Sequence, residues 1–367
     1  MTLNLRRAVG SLLVVGLGGM ELTGLERAWL RVVRPAGIIL FRRNIADAAQ
    51  TRTLLEGATA LCAADSLRCV DVEGGTVDRL RDALAPMPSA QAVARAAVAK
   101  GRPGLAQEHG ELIARGVKAF GFNTTLAPVL DLGQPESAGV MGTRTAGDNA
   151  EGVTTYARGF LAGLAKHGVV GCGKHFPGLG GGVCDSHLDT PAINRSWQEI
   201  WRQDLAPYRE LGRQLPMVMV NHAAYPETKS GELPASVSAY WMSTVLRRKM
   251  GYKGIVFSDD LEMGGVLKFL PIEEAALTAL RAGTDLLEIC HSPELILRTF
   301  EALLAEAERS AVFRKLVAGR AARLGRARVR LFGGVSKPLS VKQFEALRAR
   351  VLRFGETVKK INEKEPA

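Results

Sequence analysis

Asp185 and His187 are an aspartate and a histidine two residues apart, and they form the most chemically informative pair in the chain. If the Asp-Ser-His segment is extended, residues i and i+2 point to the same side, so the carboxylate can bond one imidazole nitrogen. Such a bond fixes the tautomer and raises the basicity of the ring. We therefore predict that His187 gives and takes a proton near neutral pH.

Further polar residues stand where short apolar runs end. Asp71 closes one run, Lys174 and His175 close a second, Asn221-His222 a third, and the Ser-Asp-Asp of residues 258–260 a fourth. In barrels of parallel strands the site lies at the carboxyl ends of the strands. These polar strand ends are therefore candidate functional residues.

The six histidines separate into two groups. Three lie at or just after the ends of apolar runs, namely His175, His187 and His222. The others lie elsewhere in the chain, namely His109, His167 and His291. We expect the first group to meet at one end of the fold.

Eight apolar runs rich in Val and Ile alternate with stretches of helical spacing, which is typical of βα units around a parallel sheet. The runs are residues 12–17, 37–41, 67–72, 125–130, 169–174, 217–220, 254–258 and 284–289. Eight such units suit a closed barrel better than an open doubly wound sheet, although periodicity leaves the open sheet as an alternative. We predict an α/β fold, a single (β/α)8 TIM-type barrel, and interpret run 12–17 as its first strand rather than a signal peptide.

Two glycine-rich strings are poor matches to nucleotide-binding motifs. Val15-Gly-Leu-Gly-Gly-Met-Glu21 has a glutamate where a dinucleotide fingerprint needs its third glycine. Gly178-Leu-Gly-Gly-Gly182 lacks the Gly-Lys-Ser/Thr ending of a P-loop and is interpreted as a flexible loop over a site. With no His-Glu-x-x-His and no tight His/Cys set, we expect no metal site and no cofactor.

Several motifs occur together and in a fixed order. They are Gly37-Ile-Ile-Leu-Phe, Val70-Asp-Val-Glu-Gly-Gly with Arg79, Leu126-Ala-Pro-Val-Leu-Asp, the Arg144 region, Lys174-His-Phe-Pro-Gly, Asp185-Ser-His and Phe257-Ser-Asp-Asp-Leu-Glu-Met. In this combination the chain closely resembles the bacterial β-N-acetylglucosaminidases (β-hexosaminidases) of glycoside hydrolase family 3, from about residue 10 to 295. The joint pattern is specific, although each piece alone is modest.

The resemblance implies a (β/α)8-type barrel that removes terminal β-linked N-acetylglucosamine with retention of configuration. It implies that Asp259 is the nucleophile and that His187, supported by Asp185, is the acid/base. The sugar-binding positions that carry over are Asp71, Arg79, Arg144, Lys174 and His175, with His222 as a further lining residue. It also implies a small carbohydrate substrate of the N-acetylglucosaminyl-anhydromuropeptide type, in peptidoglycan recycling.

The residue types suit these roles, because retaining hydrolysis needs a carboxylate at the anomeric carbon and a proton donor at the leaving oxygen. Strand alternation lets only one of Asp259 and Asp260 point at the barrel axis.

One position departs from the family, whose members usually continue Lys-His-Phe-Pro-Gly with His-Gly, whereas this chain has Leu179-Gly180. The change puts loop closure and leaving-group preference in question and leaves the Asp185–His187 pair intact.

Three alternatives stay open at this point. The first is a phosphorylase, in which phosphate rather than water accepts the sugar. It stays open because a neutral histidine as acid/base repels an incoming phosphate less than a carboxylate does. A β-glucosidase of the same fold is disfavoured, because many of these relatives take their acid/base from a second domain, which the chain after residue 332 is too short to supply. The non-enzymatic alternative is a basic binding or sugar-sensing protein.

The formal net charge is +11, with 48 basic and 37 acidic residues, but the excess is local. From residue 301 onward there are 16 basic and 7 acidic residues, so the remainder is nearly balanced and gives no reason to expect nucleic-acid binding.

We divide the chain into a catalytic barrel, residues 1–335, and a basic helical C-terminal extension, residues 336–367. A weaker hypothesis is that this extension contacts an acidic partner or the inner membrane surface. Five scattered cysteines with no Cys-x-x-Cys pair favour a reducing compartment, and no apolar run is long enough to span a bilayer. We expect a cytoplasmic protein, and we expect it to be a monomer.

Overall fold

The fold of this computed structural model, which describes residues 2–182, 189–334 and 336–364, is built around a closed barrel of parallel strands. Around the barrel the described strands follow the order β1-β2-β3-β6-β7-β8-β9-β10, and β10 pairs with β1 to close it. The strands are β1 Leu13–Gly16, β2 Gly37–Leu40, β3 Leu67–Val70, β4 Val72–Gly74, β5 Val77–Asp78, β6 Thr124–Thr125, β7 Val170–Phe176, β8 Met217–Val220, β9 Ile255–Asp260 and β10 Leu286–Ile289. The predicted TIM-type barrel is confirmed, and the open-sheet alternative is excluded.

Strands β4 and β5 form a separate antiparallel hairpin directly after β3. The hairpin lies at the carboxyl end of β3, where the chain leaves the barrel wall. It carries Glu73 on its first strand, next to Gly74. Gly74 has a φ of +93°, and a Cβ there would lie 2.2 Å from the Pro88 carbonyl oxygen, so only glycine suits this turn.

The fourth predicted run, residues 125–130, is the one that differs from the structure. Regular pairing in β6 covers only Thr124–Thr125, and an isolated bridge joins Val129 to Lys174. Pro128 has no backbone N–H to donate to a neighbouring strand, so regular strand pairing cannot continue through it. The segment is therefore extended but irregular, and it leads to Asp131.

Helices cover the outside of the barrel, as the βα alternation predicts. Within the described residues they are α1 Thr2–Gly10, α2 Gly24–Val33, α3 Ala48–Thr59, α4 Ala90–Ala99, α5 Gly104–Ala119, α6 Ala138–Met141, α7 Ala150–Lys166, α8 Trp197–Arg202, α9 Ala206–Leu211, α10 Gly264–Leu267, α11 Ile272–Ala282, α12 Pro293–Arg309, α13 Ala311–Phe332 and α14 Val341–Lys364. A π-helix spans Tyr240–Lys249, and short 3-10 turns precede several of the other elements. Among the described helices, none combines the length and apolarity that a membrane crossing requires.

The basic C-terminal segment forms the long helix α14, which lies against α4 and α5. One face of α14 is buried, through Leu347, Val351, Phe354, Val358 and Ile361. Most of its basic side chains lie on the opposite, solvated face, as the helical spacing predicts. The division at residue 335 and the membrane contact of this segment stay predictions.

Candidate active site

The polar strand ends identified in the sequence meet at one mouth of the barrel. Lys174 and His175 belong to the last part of β7, and Asp259 to the last part of β9. Asp71 follows β3 directly, and His222 lies two residues beyond β8. Because all barrel strands are parallel, their carboxyl ends share this side of the fold.

Lys174 is the centre of a buried ion-pair cluster. Its Nζ lies 2.6 Å from Asp71 Oδ1 and 2.7 Å from Glu73 Oε1. The Lys174 side chain is 4% exposed, so its charge is balanced by protein groups rather than by water. Burial alone would lower the pKa of this ammonium, but the two carboxylates outweigh burial and raise the pKa.

Arg144 also bonds the Glu73 carboxylate. It lies in a 3-10 turn, Gly142–Arg144, and its guanidinium bonds Glu73 through Nε at 2.9 Å and Nη2 at 2.8 Å. Nη2 also lies 3.3 Å from His175 Nε2. Although burial would raise the pKa of Glu73, Arg144 and Lys174 hold it well below its usual range.

His175 is held by Asp131, the last residue of the irregular segment after β6. The imidazole Nδ1 is 2.6 Å from Asp131 Oδ2, and the same oxygen accepts a hydrogen bond from the His175 backbone N–H at 3.1 Å. The other carboxylate oxygen of Asp131 accepts from the Leu179 backbone N–H at 2.7 Å. One buried carboxylate therefore fixes both the imidazole and the start of the glycine-rich loop.

Leu179, the position that departs from the family pattern, is buried at 7% exposure and packs in the core. A Cβ on Gly180 would lie 2.4 Å from the Leu132 carbonyl oxygen, so the chain passes close to that backbone. The described part of the loop is thus packed against the barrel wall. Leu179 contributes apolar packing there, and its side chain belongs to the core.

Asp259 lies at the end of β9, at the same barrel mouth as Lys174, His175 and His222. Burial would raise the pKa of this carboxyl, but His175, His222 and Lys174 together hold it below its usual range. The next carboxyl, Asp260, behaves oppositely, because burial and the nearby Glu262 raise its pKa to about 7. Asp259 is therefore ionised near neutral pH, whereas Asp260 gains and loses its proton in that range.

His222 is held between two neighbours at the mouth. Its Nδ1 lies 2.7 Å from Ser236 Oγ, and its Nε2 lies 2.9 Å from the Asp260 carbonyl oxygen. Because a carbonyl only accepts, Nε2 carries the ring proton in this arrangement. Asn221, one residue earlier, ties the carbonyl of His175 to Tyr225.

Arg79 also lies at this mouth, joined to Asp71 through the backbone. Its N–H donates to the Asp71 carbonyl oxygen at 3.1 Å, and its guanidinium carbon lies 5.8 Å from the centre of the Phe41 ring. The Nε atom is buried and has no hydrogen-bond partner among the described residues. A ligand oxygen would satisfy this donor.

Asp185 and His187 lie outside the described residues. The residues on each side of that segment are attached to the mouth. Before it, the Gly178 carbonyl oxygen accepts from the Tyr225 hydroxyl at 2.7 Å, and after it Thr190 Oγ1 donates to the Gly265 carbonyl oxygen at 2.7 Å. Gly265 belongs to α10, which follows the Asp259 strand.

The structure corrects the grouping of the histidines. His175 and His222 lie at the mouth as expected, and His167 lies between the end of α7 and the start of β7. His109 lies on α5 behind the β4-β5 hairpin, where a Cβ on Gly74 would be 3.1 Å from its Nε2. His291, however, follows directly after β10 and lies 3.6 Å from Asp260 through its Nε2. His291 therefore belongs to the same end of the barrel as His175 and His222, because it stands two residues after Ile289, where both the predicted apolar run and β10 end.

Glu73 and Asp131 lie inside the motifs, but their roles were not predicted from the sequence. Both are acidic residues at or just beyond apolar runs, the same pattern that marks Asp71 and Asp259. Their importance depends on their partners, Arg144 and His175, which lie 71 and 44 residues away in the chain. The assembled cluster presents cations and carboxylates that suit hydrogen bonds to sugar hydroxyls, beside an ionised aspartate.

Comparison with known proteins agrees with this geometry. Residues 4–327 match the model of the glycosyl hydrolase family 3 N-terminal domain. The chain is 38% identical over 289 residues to a β-hexosaminidase of Alkalilimnicola ehrlichii, covering 77% of this chain and 82% of that protein.

Two solved structures show the same architecture. A family 3 β-N-acetylglucosaminidase from Paenibacillus sp. FPU-7 superposes with a TM-score of 0.85 at 32% identity, covering 96% of this chain and 68% of that one. NagZ from Neisseria gonorrhoeae in complex with N-trifluoroacetyl-D-glucosamine gives a TM-score of 0.76 at 30% identity, with coverage of 94% and 98%. With its barrel, its strand-end motifs and these relatives, the chain belongs to glycosyl hydrolase family 3.

Proposed function

We propose that the protein is a retaining exo-β-N-acetylglucosaminidase, with Asp259 as nucleophile and His187, supported by Asp185, as acid/base. The observation that carries the proposal is the position of Asp259 at the end of β9, at the same barrel mouth as Lys174, His175 and His222, whose charges lower the pKa of its carboxyl. A nucleophilic carboxylate must be ionised to attack an anomeric carbon, and this environment keeps it so. Relatives that are named β-hexosaminidase and β-N-acetylglucosaminidase support the choice of sugar.

Sugar recognition is assigned to the ion-pair cluster. Asp71 accepts hydrogen bonds from sugar hydroxyls, while Lys174 and Arg144 donate to their oxygens. Arg79, whose Nε has no hydrogen-bond partner among the described residues, completes the proposed lining together with His175 and His222. Because Glu73 and Asp131 already hold these cations and this imidazole in place, little ordering is needed when the sugar binds.

The reaction proceeds in two halves. In the first, Asp259 forms a bond to the anomeric carbon as the glycosidic bond breaks, and His187 gives its proton to the leaving oxygen. In the second, His187 takes a proton from water, and the water oxygen attacks the same carbon and releases Asp259. Two inversions at one carbon retain the configuration.

The proposed substrate is a terminal β-linked N-acetylglucosamine on a cell-wall muropeptide or its anhydro form, as in peptidoglycan recycling. NagZ of Neisseria gonorrhoeae binds N-trifluoroacetyl-D-glucosamine, which supports a pocket for an N-acylated glucosamine. We place the reaction in the cytoplasm, and the four described cysteines, which are free and buried, fit a reducing compartment.

The test measures release of nitrophenol from nitrophenyl β-N-acetylglucosaminide. We expect Asp259→Ala and His187→Ala each to lower kcat by at least about 10³-fold, as for removal of other essential catalytic groups. His167→Gln, which changes a histidine away from the mouth, is the matched control and should keep full turnover. Unchanged turnover in both catalytic variants would refute the assignment.

A second measurement identifies the acceptor and the natural substrate together. Products from a short muropeptide are analysed with and without phosphate. Free N-acetylglucosamine in both conditions supports hydrolysis, whereas a sugar phosphate formed only with phosphate identifies a phosphorylase. A higher kcat/KM for nitrophenyl β-glucoside than for nitrophenyl β-N-acetylglucosaminide would instead favour a β-glucosidase.

A further inference from the structure

Three side chains with metal-binding atoms meet where β9 and β10 end. They are the Asp260 carboxylate, the Cys290 thiol and the His291 imidazole, and their donor atoms all lie within 4.8 Å of one another. Pairing of β9 with β10 places Asp260 opposite Glu288, two residues before Cys290. The group is therefore assembled by barrel closure, from positions 30 residues apart in the chain.

The two ligands after β10 are held in place by their surroundings. The Glu262 carboxylate accepts backbone hydrogen bonds from Cys290 at 2.7 Å, from His291 and from Ser292 at 2.8 Å. The imidazole of His291 stacks on Phe41, with ring centres 5.3 Å apart. Such support orients ligands before a metal ion arrives and reduces the ordering that binding requires.

We propose that Asp260, Cys290 and His291 form a binding site for a zinc-class divalent cation, with water as the fourth ligand. Thiolate and imidazole prefer Zn²⁺ and similar borderline ions, whereas Mg²⁺ and Ca²⁺ prefer sets of oxygen ligands. In tetrahedral zinc sites neighbouring donor atoms are about 3.3–3.7 Å apart, given bond lengths of about 2.0–2.3 Å. The observed 3.6 Å between Asp260 Oδ2 and His291 Nε2 falls in that range.

Solvent reaches the site from the histidine side. The His291 side chain is 55% exposed and that of Asp260 is 13% exposed, while Cys290 is buried. An ion can thus enter past the imidazole and be enclosed by the carboxylate and the sulfur. A carboxylate and a thiolate neutralise its two positive charges.

Arg43 loses its hydrogen bond to His291 when the ion binds. Its Nη1 lies 2.9 Å from His291 Nδ1, and because arginine only donates, Nδ1 is the acceptor and Nε2 carries the ring proton. On binding, Nε2 takes the metal, the ring proton moves to Nδ1, and the thiol releases its proton to solvent, as does the Asp260 carboxyl when it is protonated. The guanidinium keeps its bonds to the Leu17 carbonyl oxygen at 3.0 Å and the Cys290 carbonyl oxygen at 2.6 Å.

The first test is direct binding to the full-length, reduced protein. Calorimetric titration with Zn²⁺ should give one ion per chain, and Co²⁺ should give a thiolate charge-transfer absorption. Cys290→Ser should abolish the Co²⁺ absorption, and Cys290→Ser and His291→Gln should each weaken Zn²⁺ binding at least about tenfold. Cys62→Ser, which changes a buried cysteine outside the group, should bind like wild type.

The outcomes separate the alternatives, with circular dichroism and thermal melting checking that each variant is folded. Failure of the wild type to bind one ion would overturn the proposal. Equal affinity in wild type, Cys290→Ser and His291→Gln would also overturn it, because other groups would then hold the ion.

The second test rests on the proposed function. Asp260 follows Asp259 in the chain, so an ion held by the Asp260 carboxylate fixes the end of β9 beside the nucleophile, and we expect it to inhibit turnover. We expect Zn²⁺ to inhibit wild type and to inhibit His291→Gln at least about tenfold more weakly. Equal inhibition of both would break the link between this site and activity, while the binding test stands even if the proposed activity is absent.

Discussion

The Arg144 guanidinium holds the Glu73 carboxylate through two parallel hydrogen bonds, with Nε 2.9 Å from Oε2 and Nη2 2.8 Å from Oε1. Such paired bonds fix the plane of both groups as well as their separation. The remaining capacity of Glu73 is used by Lys174, at 2.7 Å. Glu73 therefore sets the positions of two of the proposed sugar-binding cations.

Replacing Glu73 should reduce stability in a pH-dependent way. Glu73→Gln leaves Arg144 and Lys174 without this counter-charge, so we expect the free energy of unfolding at pH 7 to fall by about 3 kcal/mol, as for other broken buried pairs. The pKa of Glu73 is lowered in the folded state, so its contribution is present above its unfolded pKa, about 4.3, and is lost as the pH falls through the folded pKa.

Urea unfolding at several pH values measures this effect. The difference between wild type and Glu73→Gln should be full at pH 7 and should shrink as the pH falls below about 4. Glu210→Gln, which breaks an exposed pair with Arg158, should change stability by less than about 0.5 kcal/mol. A difference that does not depend on pH would contradict the assigned charge of Glu73.

Lys174 should act on both sugar binding and the nucleophile. Lys174→Gln should lower kcat/KM about 10- to 100-fold, because a hydrogen bond to a charged group contributes about 1.5–3 kcal/mol. It should also move the acid limb of the kcat/KM profile to higher pH, because Asp259 loses one of the cations that lower its pKa. Lys166→Gln, on the exposed surface, should leave the profile unchanged.

A fall in kcat/KM without movement of the acid limb would show that Lys174 binds substrate but does not set the charge of Asp259. The pH profile therefore separates the two roles. A structural defect alone would lower the amplitude at every pH and leave the midpoint of the limb in place.

Glu288 should make the protein less stable as the pH rises. It lies on β10 at 2% exposure, its Oε1 has no hydrogen-bond partner among the described residues, and burial raises its pKa well above the usual range. A carboxyl with a raised folded pKa binds more protons when folded, so its stabilising effect is complete below the unfolded pKa and is lost as the pH rises towards the folded pKa.

Glu288→Gln removes this titration at nearly constant size. We expect thermal melting to show that the variant gains stability relative to wild type between pH 4 and pH 8. Glu301→Gln, an exposed residue on α12, should show no such trend. A relative stability of Glu288→Gln that does not change with pH would mean that Glu288 is ionised in the folded protein.

Helix α14 should be part of the cooperative fold. Phe354 is 4% exposed, and its ring lies 5.9 Å from that of His109 on α5. Phe354→Ala should lower the free energy of unfolding by about 3–5 kcal/mol. Leu352→Ala, at a position 45% exposed on the same helix, should change it by less than about 1 kcal/mol.

Calorimetry measures this directly, because one unfolding transition at a lower temperature is expected for Phe354→Ala. Two separate transitions, with the barrel melting as in wild type, would show that residues 336–367 fold independently of the barrel.

The barrel and the family were predictable from the sequence because both depend on local signals. Apolar runs of strand length alternate with amphipathic stretches, and burial of those runs admits few arrangements. The polar residues after the runs, such as Asp71 and His222, mark the active end because all parallel strands end on one side. The exception in the pattern, residues 125–130, came from Pro128, whose missing N–H shortens a strand without changing the apolar pattern.

The partners of the site residues were decided only by the tertiary structure. Strand order and register bring Glu73 to Arg144, Asp131 to His175 and Asp260 to Cys290-His291, and no local pattern specifies these pairs across so many residues. The charge state of each carboxyl is equally non-local, since Asp259 and Asp260 are neighbours in sequence but face different groups. By itself the sequence determined which residue types stand at the strand ends, while closure of the barrel decided which of them touch, because electrostatic and hydrogen-bond energies depend on distance in space.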